Sequence, residues 1–446
     1  MKGIICIKFD GKKVKPAIGQ NKFAEKFQDF VTVIGEPGAQ LVDHVVPRGS
    51  GANALANELF DLLKEYQSCS TLRCIGSDGT NVNTGHDNGT IRRLEVLLNH
   101  PVHWCICLIH FVELIFKHLF ILHDGKTKSG DDYKGPIGQE IAAYKSKFPD
   151  PIRRWKAIPG KVPLVNQDLL KGLSSEQQTF YHLCIAIQSG NLSENYATCD
   201  MPKLHEARWV NKCTRCLRLY ITKLNPSRSL FRLCQIVLNV YAPVFFKMKC
   251  NWDIRFGADN YFYALALCRD FLQGKEVEIY QKEFRINCYF ANPEAILLTG
   301  MFDKNLEIRK EALKWIMIDR RRRRSGAPLR KFVLPGININ FQAERYMDLV
   351  DLDTFPQVTE PPLLFNYSDQ ALINLANGTE SSKITFSWFP AIPSHSQNNE
   401  RKVADTTVAA KKYVTKERRT SNMLVTNTSR DELPKDSTKR QFLSKK

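Results

Sequence analysis

No run of 18 or more uninterrupted apolar residues occurs in this chain, so no transmembrane helix is expected. The opening MKGIICIKFDGKK carries a short apolar run without a helical apolar region or a small-residue cleavage site, so it reads as a strand rather than a signal peptide. No fixed-period repeat is evident, which argues against solenoids and propellers. A compact cysteine framework is also missing. The 13 cysteines are odd in number and scattered through apolar stretches, the pattern of buried thiols in a reducing compartment rather than of a secreted disulfide protein. Acidic residues are the scarcer charge: 46 Asp and Glu against 64 Lys and Arg leave a net charge of +18. A basic balance of that size favours a polyanionic partner such as nucleic acid, with a generally soluble basic protein as the plain alternative.

Hydrophobic residues make up 43% of the 446, enough for a sizeable core. The length suits two or three domains, or one core with a large insertion. Strand-like runs occur at Ile4 to Phe9, ending on Asp10, at Phe27 to Ile34 and at Gln40 to Val46, separated by Pro and Gly turns. The stretch GANALANELFDLLKEYQ places Leu55, Leu59, Leu62 and Leu63 on one helical stripe. A strand from Thr71 to Ser77 runs into Asp78, and a polar turn leads to the helical IRRLEVLLN. A buried strand, VHWCICLI, then continues into a helix through FVELIFKHLF. The order β-β-β-α-β-α-β-α predicts an α/β fold with a mixed five-stranded sheet flanked by helices, the order of an RNase H-like core. Residues 1–124 form that part. Beyond a Lys/Gly/Asp-rich loop the chain reads as mostly helices, and the polar, charged C-terminal residues read as a flexible tail.

Asp10 and Asp78 end the first and fourth strands, and each is followed by glycine. Asp-Gly is also an ordinary turn dipeptide. In an RNase H-like sheet those two strands are parallel neighbours, so the carboxylates would sit a few ångströms apart and call for a hard divalent cation, Mg²⁺ or Mn²⁺. Cys107 and His110 follow the fifth strand. With Cys105 and His103 they admit a zinc reading, against one of core thiols and a hydrogen-bonding histidine. Cys213 and Cys216 form a CxxC inside a helical pattern with no partner pair, which reads as two residues near a core face. Arg208 and Trp209 could contact a phosphate and stack on a base, or Trp209 could anchor a core. The run Arg320, Arg321, Arg322, Arg323 and Arg324 suits phosphate contact or nuclear import, or a solvated loop. From Arg401 onward 13 Lys and Arg face 5 Asp and Glu, a second basic surface or a soluble tail.

Taken together these residues resemble the hAT-like superfamily of cut-and-paste DNA transposases, in a divergent transposon-derived branch. The likeness rests on IKFDGKK around Asp10, SDGTNVNTG around Asp78, the CxxH of Cys107 and His110 followed by Glu113 and Leu114, and PSHSQNNERKV around Glu400. HEARWV around Trp209 and the end SRDELPKDSTKRQF add to it. The resemblance implies Asp10, Asp78 and Glu400 as catalytic metal ligands for Mg²⁺ or Mn²⁺. It implies Cys107 and His110 as residues that shape the site, and Trp209 as a holder of distorted DNA. Residues 125–385 would be a helical insertion, 386–415 a C-terminal helix completing the catalytic core and 416–446 a basic flexible tail. The implied protein is nuclear, binds DNA and has no membrane association, with self-association left open. Its reaction is hydrolysis and strand transfer of DNA phosphodiesters. The alternative is a domesticated nuclear DNA- or protein-binding protein that keeps the fold without activity. Nine residues precede Asp10, so this reading expects a copy without a zinc-finger domain ahead of the core.

Overall fold

The computed structural model describes residues 4–14, 28–36, 40–127, 133–143, 155–192, 196, 209–251, 253–322, 329, 332–355 and 359–378. Strands β1 (Cys6–Val14), β2 (Gln28–Glu36), β3 (Gln40–Val45), β4 (Cys74–Ser77) and β5 (His103–Ile106) form one sheet in the order β3-β2-β1-β4-β5. The first three are joined antiparallel, whereas β1, β4 and β5 are parallel. This is an α/β fold with a mixed five-stranded sheet. The parallel connections run through helices because parallel strands need a long crossover.

Those crossovers are α1 (Ala52–Glu65), which follows β3, and α2 (Asn81–Thr84) with α3 (Thr90–Leu98) between β4 and β5. The apolar stripe of α1 is buried as its spacing dictates, with Leu59 and Leu63 fully inside. Glu95 of α3 is completely buried and satisfied. Its Oε1 accepts from the Val102 amide (3.1 Å) and the Trp104 indole (3.0 Å), and Arg92 Nη1 lies 3.3 Å from Oε2. One carboxylate thereby ties α3 to the entry of β5, since a buried charge stays only where it is paired and hydrogen-bonded.

The long helix α4 (Leu108–Asp124) leads from the end of β5 into the helical region. Its last residue, Asp124, accepts hydrogen bonds from the amides of Ile137 (2.8 Å) and Gly138 (2.6 Å) at the start of α5 (Pro136–Ala143), an anion placed on a helix N-terminus. Then come α6 (Gln167–Gly172), α7 (Ser175–Ser189), α8 (Trp209–Thr222), α9 (Arg228–Ile236), a π-helical turn at Val237–Tyr241, and α10 (Ala242–Asn251). They are followed by α11 (Gly257–Phe271), α12 (Lys275–Ile286), α13 (Pro293–Met301), α14 (Leu306–Arg322) and α15 (Asp369–Asn377). Every residue of α8 is buried, which makes it the centre of this region. The rod from Arg228 to Cys250 is apolar and long enough to cross a membrane by composition, but 78% of it is buried inside the protein, as in a core helix.

Helices α4 and α12 are joined by two histidine–carboxylate contacts. His118 Nδ1 lies 2.9 Å from Glu283, and His123 Nε2 lies 2.7 Å from Glu276. Arg232 of α9 grips the same Glu276 through Nε (2.9 Å) and Nη2 (2.5 Å). Phe111 of α4 packs edge-on against Phe284 of α12, with centroids 4.8 Å apart.

Candidate functional site

Parallel strands that end together leave a crevice beyond their carboxyl ends, the usual place for ligands in such sheets. The register of β1 on β4 pairs Lys8 with Gly76. Asp10 lies two residues further along β1, and Asp78 lies two residues beyond Gly76, just past the end of β4. The sequence reading placed Asp10 at a strand end. Instead β1 continues to Val14, and its far half pairs only with β2. Asp10 is exposed where β1 outruns β4, because β4 stops at Ser77.

Asp78 is held by the turn that follows it. Its Oδ1 accepts from the Thr80 amide (3.2 Å), the Thr80 hydroxyl (2.8 Å) and Asn83 Nδ2 (2.7 Å), while Oδ2 takes no hydrogen bond from a described residue. The turn thereby fixes one oxygen of the carboxylate. The turn itself is closed by glycines. A Cβ on Gly89 would meet the Gly85 nitrogen at 2.4 Å, and one on Gly85 would meet the Asn81 carbonyl oxygen at 2.8 Å. Thr84, buried at the end of α2, takes a 2.9 Å hydrogen bond from the Tyr289 hydroxyl, which brings the helical region onto this turn. The side chain of Asn287, just past α12, also approaches Gly79.

Cys107 is not part of β5. It is the N-cap of α4, and its sulfur accepts a hydrogen bond from the His110 amide at 3.3 Å. A CxxH spacing at a helix start is what a sulfur cap requires, since the cap acceptor reaches the amide three residues on. The His110 ring then lies beside Gly79, next to Asp78. Among the described residues no three His, Cys, Asp or Glu side chains converge as a metal cage. Asp10 and Asp78 alone suit Mg²⁺ or Mn²⁺, which commonly bind through one or two carboxylates and keep several waters. Glu400 and Arg401 lie outside the described residues, as do Arg208, Arg323, Arg324 and the segments 386–415 and 416–446.

The remaining predicted residues are placed elsewhere. Trp209 is 5% exposed and packs on Phe116 (5.9 Å) and Phe120 (5.6 Å), with Lys212 Nζ 4.2 Å above its ring. It is a core anchor, and no ring face is left for a base. Arg320 is bound to Glu360 and, at 2.5 Å, to Asp369, so its fork ties α14 to the following segment and α15 rather than facing solvent. Arg321 and Arg322 are exposed at the end of α14. Cys213 and Cys216 are fully buried in α8, and burial pushes both thiols far up, which suits core packing and not redox chemistry. Sequence reasoning missed Thr80, Asn83, Tyr289 and Asn287. The N-x-x-polar composition after Asp78 was the only local signal, and it does not say which side chain bonds which.

No family model, no curated protein and no solved structure matches the chain, so the geometry has to carry the functional reading.

Proposed function

We propose that this chain is a transposase-derived, DNA-binding nuclear protein with a divalent-metal-dependent phosphodiester site on an RNase H-like core, of the kind hAT-like transposases carry. The observation that supports it is the sheet order β3-β2-β1-β4-β5, in which β1 and β4 are parallel neighbours whose register runs to Lys8 and Gly76, two residues short of Asp10 and Asp78. The net charge of +18 suits a DNA backbone.

Asp10, Asp78 and Glu400 would hold Mg²⁺ or Mn²⁺, which when bound supplies activation of an attacking oxygen and stabilisation of a leaving oxygen. Thr80 and Asn83 fix the Asp78 carboxylate so that it does not have to reorganise when a ligand arrives. The Cys107 cap fixes the first turn of α4 and with it the position of His110 beside the site. The exposed Arg321 and Arg322 are available to phosphates.

The test is nicking of supercoiled plasmid in Mg²⁺ by the full chain and by Asp78→Ala. Nicking by the parent and none by the variant is expected; equal background nicking by both rejects the enzyme. A second reading, a domesticated protein that keeps the fold for DNA or protein binding, is favoured by Trp209 and Arg320 being consumed inside the structure. It predicts no nicking by either protein, together with DNA retention that falls by roughly 10³–10⁵ between about 50 and 200 mM salt where six to ten phosphates are contacted.

A further inference from the structure

Helices α4 and α12 run antiparallel. Phe111, near the start of α4, meets Phe284 near the end of α12, and His123, near the end of α4, meets Glu276 at the start of α12. The seam between them has one flank in the core and one toward solvent. On α4 the outer flank carries His110, Leu114, Lys117 and Ile121, all half-buried, and of the residues between them only His118 is not buried. On α12, Glu276 and Glu283 reach the histidines of α4, whereas Tyr280 and Phe284 also reach Phe341 on the inner side, with centroids 6.0 and 6.4 Å away. The outer flank beside the two glutamates is therefore Lys275, Ile279, Lys282 and Ile286, none of them buried. Both stripes have the spacing i, i+4, i+7 and i+11, one face of three helical turns. Both alternate a basic residue with an aliphatic one.

The core does not use most of these aliphatic side chains. Ile279 packs against it, but Leu114, Ile121 and Ile286 stand outside it, and Ile286 is 44% exposed. The charge of the flank is one-sided. Of the five acids on the two helices, Glu113, Asp124, Glu276 and Glu283 are buried, and only Glu278 is exposed, on the side of α12 away from α4. Glu276 and Glu283 are already met by Arg232, His123 and His118. Lys117, Lys275 and Lys282 form no ion pair with a described residue.

A phosphate backbone is gripped by cationic and polar side chains and by amides, and a row of aliphatics adds nothing to that grip. An amphipathic helix uses both kinds of residue. Its apolar stripe packs into the groove between two helices, and acids beside the stripe reach the lysines. Each flank spans about 16 Å, the length of a three-turn helix.

We propose that the outer seam of α4 and α12 is a docking site for an acidic amphipathic helix of a partner protein. This does not depend on the reading of the strand-end acids as a metal site.

The experiment is fluorescence anisotropy of the full chain with a labelled synthetic peptide of Leu, Ala and Glu that has one apolar helical stripe. A scrambled peptide without the stripe, the same peptide with Lys for Glu, and a short DNA duplex are the comparison probes. The parent should bind the acidic peptide at least about tenfold more tightly than the scrambled or basic one. Leu114→Ser/Ile286→Ser and Lys117→Glu/Lys282→Glu should each weaken it by about tenfold or more. Should either variant not fold, carbodiimide coupling of the acidic peptide to the parent serves instead, with coupling expected at Lys117, Lys275 and Lys282. Equal binding of the acidic and scrambled peptides, parent-like affinity in the folded variants, or coupling at other lysines overturns the proposal. So does a charge reversal that weakens the duplex and spares the peptide, which would make the seam a phosphate surface. A parent dimer that Leu114→Ser/Ile286→Ser dissociates would also overturn it, because a second copy would then cover the seam.

Discussion

The sheet and the helical region treat charge in opposite ways. In the helical region three buried acids are closed off by bases. Glu276 meets Arg232 and His123, Glu283 meets His118, and Glu360 meets Arg320. On the sheet, Glu95 is closed off in the same manner by Arg92, Trp104 and an amide. Asp78, just past the end of β4, instead has its pinned oxygen held by Thr80 and Asn83 and takes no base among the described residues, with the exposed Asp10 on the neighbouring strand. A closed pair is a fastening, because its electrostatics are already satisfied. Acids at the ends of neighbouring parallel strands suit a cationic ligand, which is why the strand ends and not the helical pairs carry the functional proposal.

The largest expected effect separates fastening from function at Trp209. If the indole is a core anchor, Trp209→Ala should cost about 4 kcal/mol of stability, the scale of a large aromatic deleted from a packed interior. Urea unfolding of the full chain measures this. DNA affinity at a temperature where the variant is still folded should not change. The comparison breaks if the variant unfolds like the parent and loses DNA binding instead, since Trp209 would then belong to the functional set.

A slightly smaller effect should appear at the Glu276 knot. Burial alone would push this carboxyl up. The Arg232 fork, His123 and the Gln273 amide (3.0 Å) outweigh it and hold the carboxyl at about 2, against an ordinary 4.5. A carboxylate depressed on folding contributes stability that is present above its unfolded value and is lost as pH falls through its folded value. The window is therefore between pH 4.5 and about 2. A depression of this size corresponds to about 3 kcal/mol. The parent should lose about that much more unfolding free energy across the window than Glu276→Gln does. Parallel acid profiles for the two would show that the knot is not the fastening that distinguishes the helical region.

Much of the sheet region could be read from the chain because its signals are local. The apolar run into Asp10, the leucine stripe of α1 and the apolar pattern of α4 each follow from residue spacing. What could not be read depends on partners remote in sequence. The extension of β1 through Lys12 and Lys13 follows from β2 pairing alone, with no apolar signal of its own. Helix α12 was not anticipated, because KEVEIYQKEFRI is charged at half of its positions and buries only Tyr280 and Phe284 among its apolar residues. Yet α12 supplies Glu276 and Glu283 and delivers Asn287 to the candidate site. Lys8 looks like an outward-facing residue of an alternating strand until Gly76 is seen beneath its stem. Glu400, the third acid that the resemblance implies, lies outside the described residues.

The smallest effect is the one that divides two chemistries of Cys107. As a helix cap the sulfur only has to accept a hydrogen bond, so Cys107→Ala should cost about 1 kcal/mol. Cys107→Ser should keep or improve the stability, because a hydroxyl oxygen is the better acceptor and is a favoured cap residue. As a thiolate ligand for zinc the sulfur would instead be irreplaceable, and serine would be as damaging as alanine. Thermal melts of the two variants, with and without a chelator, therefore rank the alternatives. A stable serine variant indifferent to chelation keeps Cys107 among the fastenings, one turn of helix away from His110 beside Gly79. A serine variant as weak as alanine, with the parent weakened by chelation, would move Cys107 and His110 across the divide and make the end of β5 a metal site in its own right.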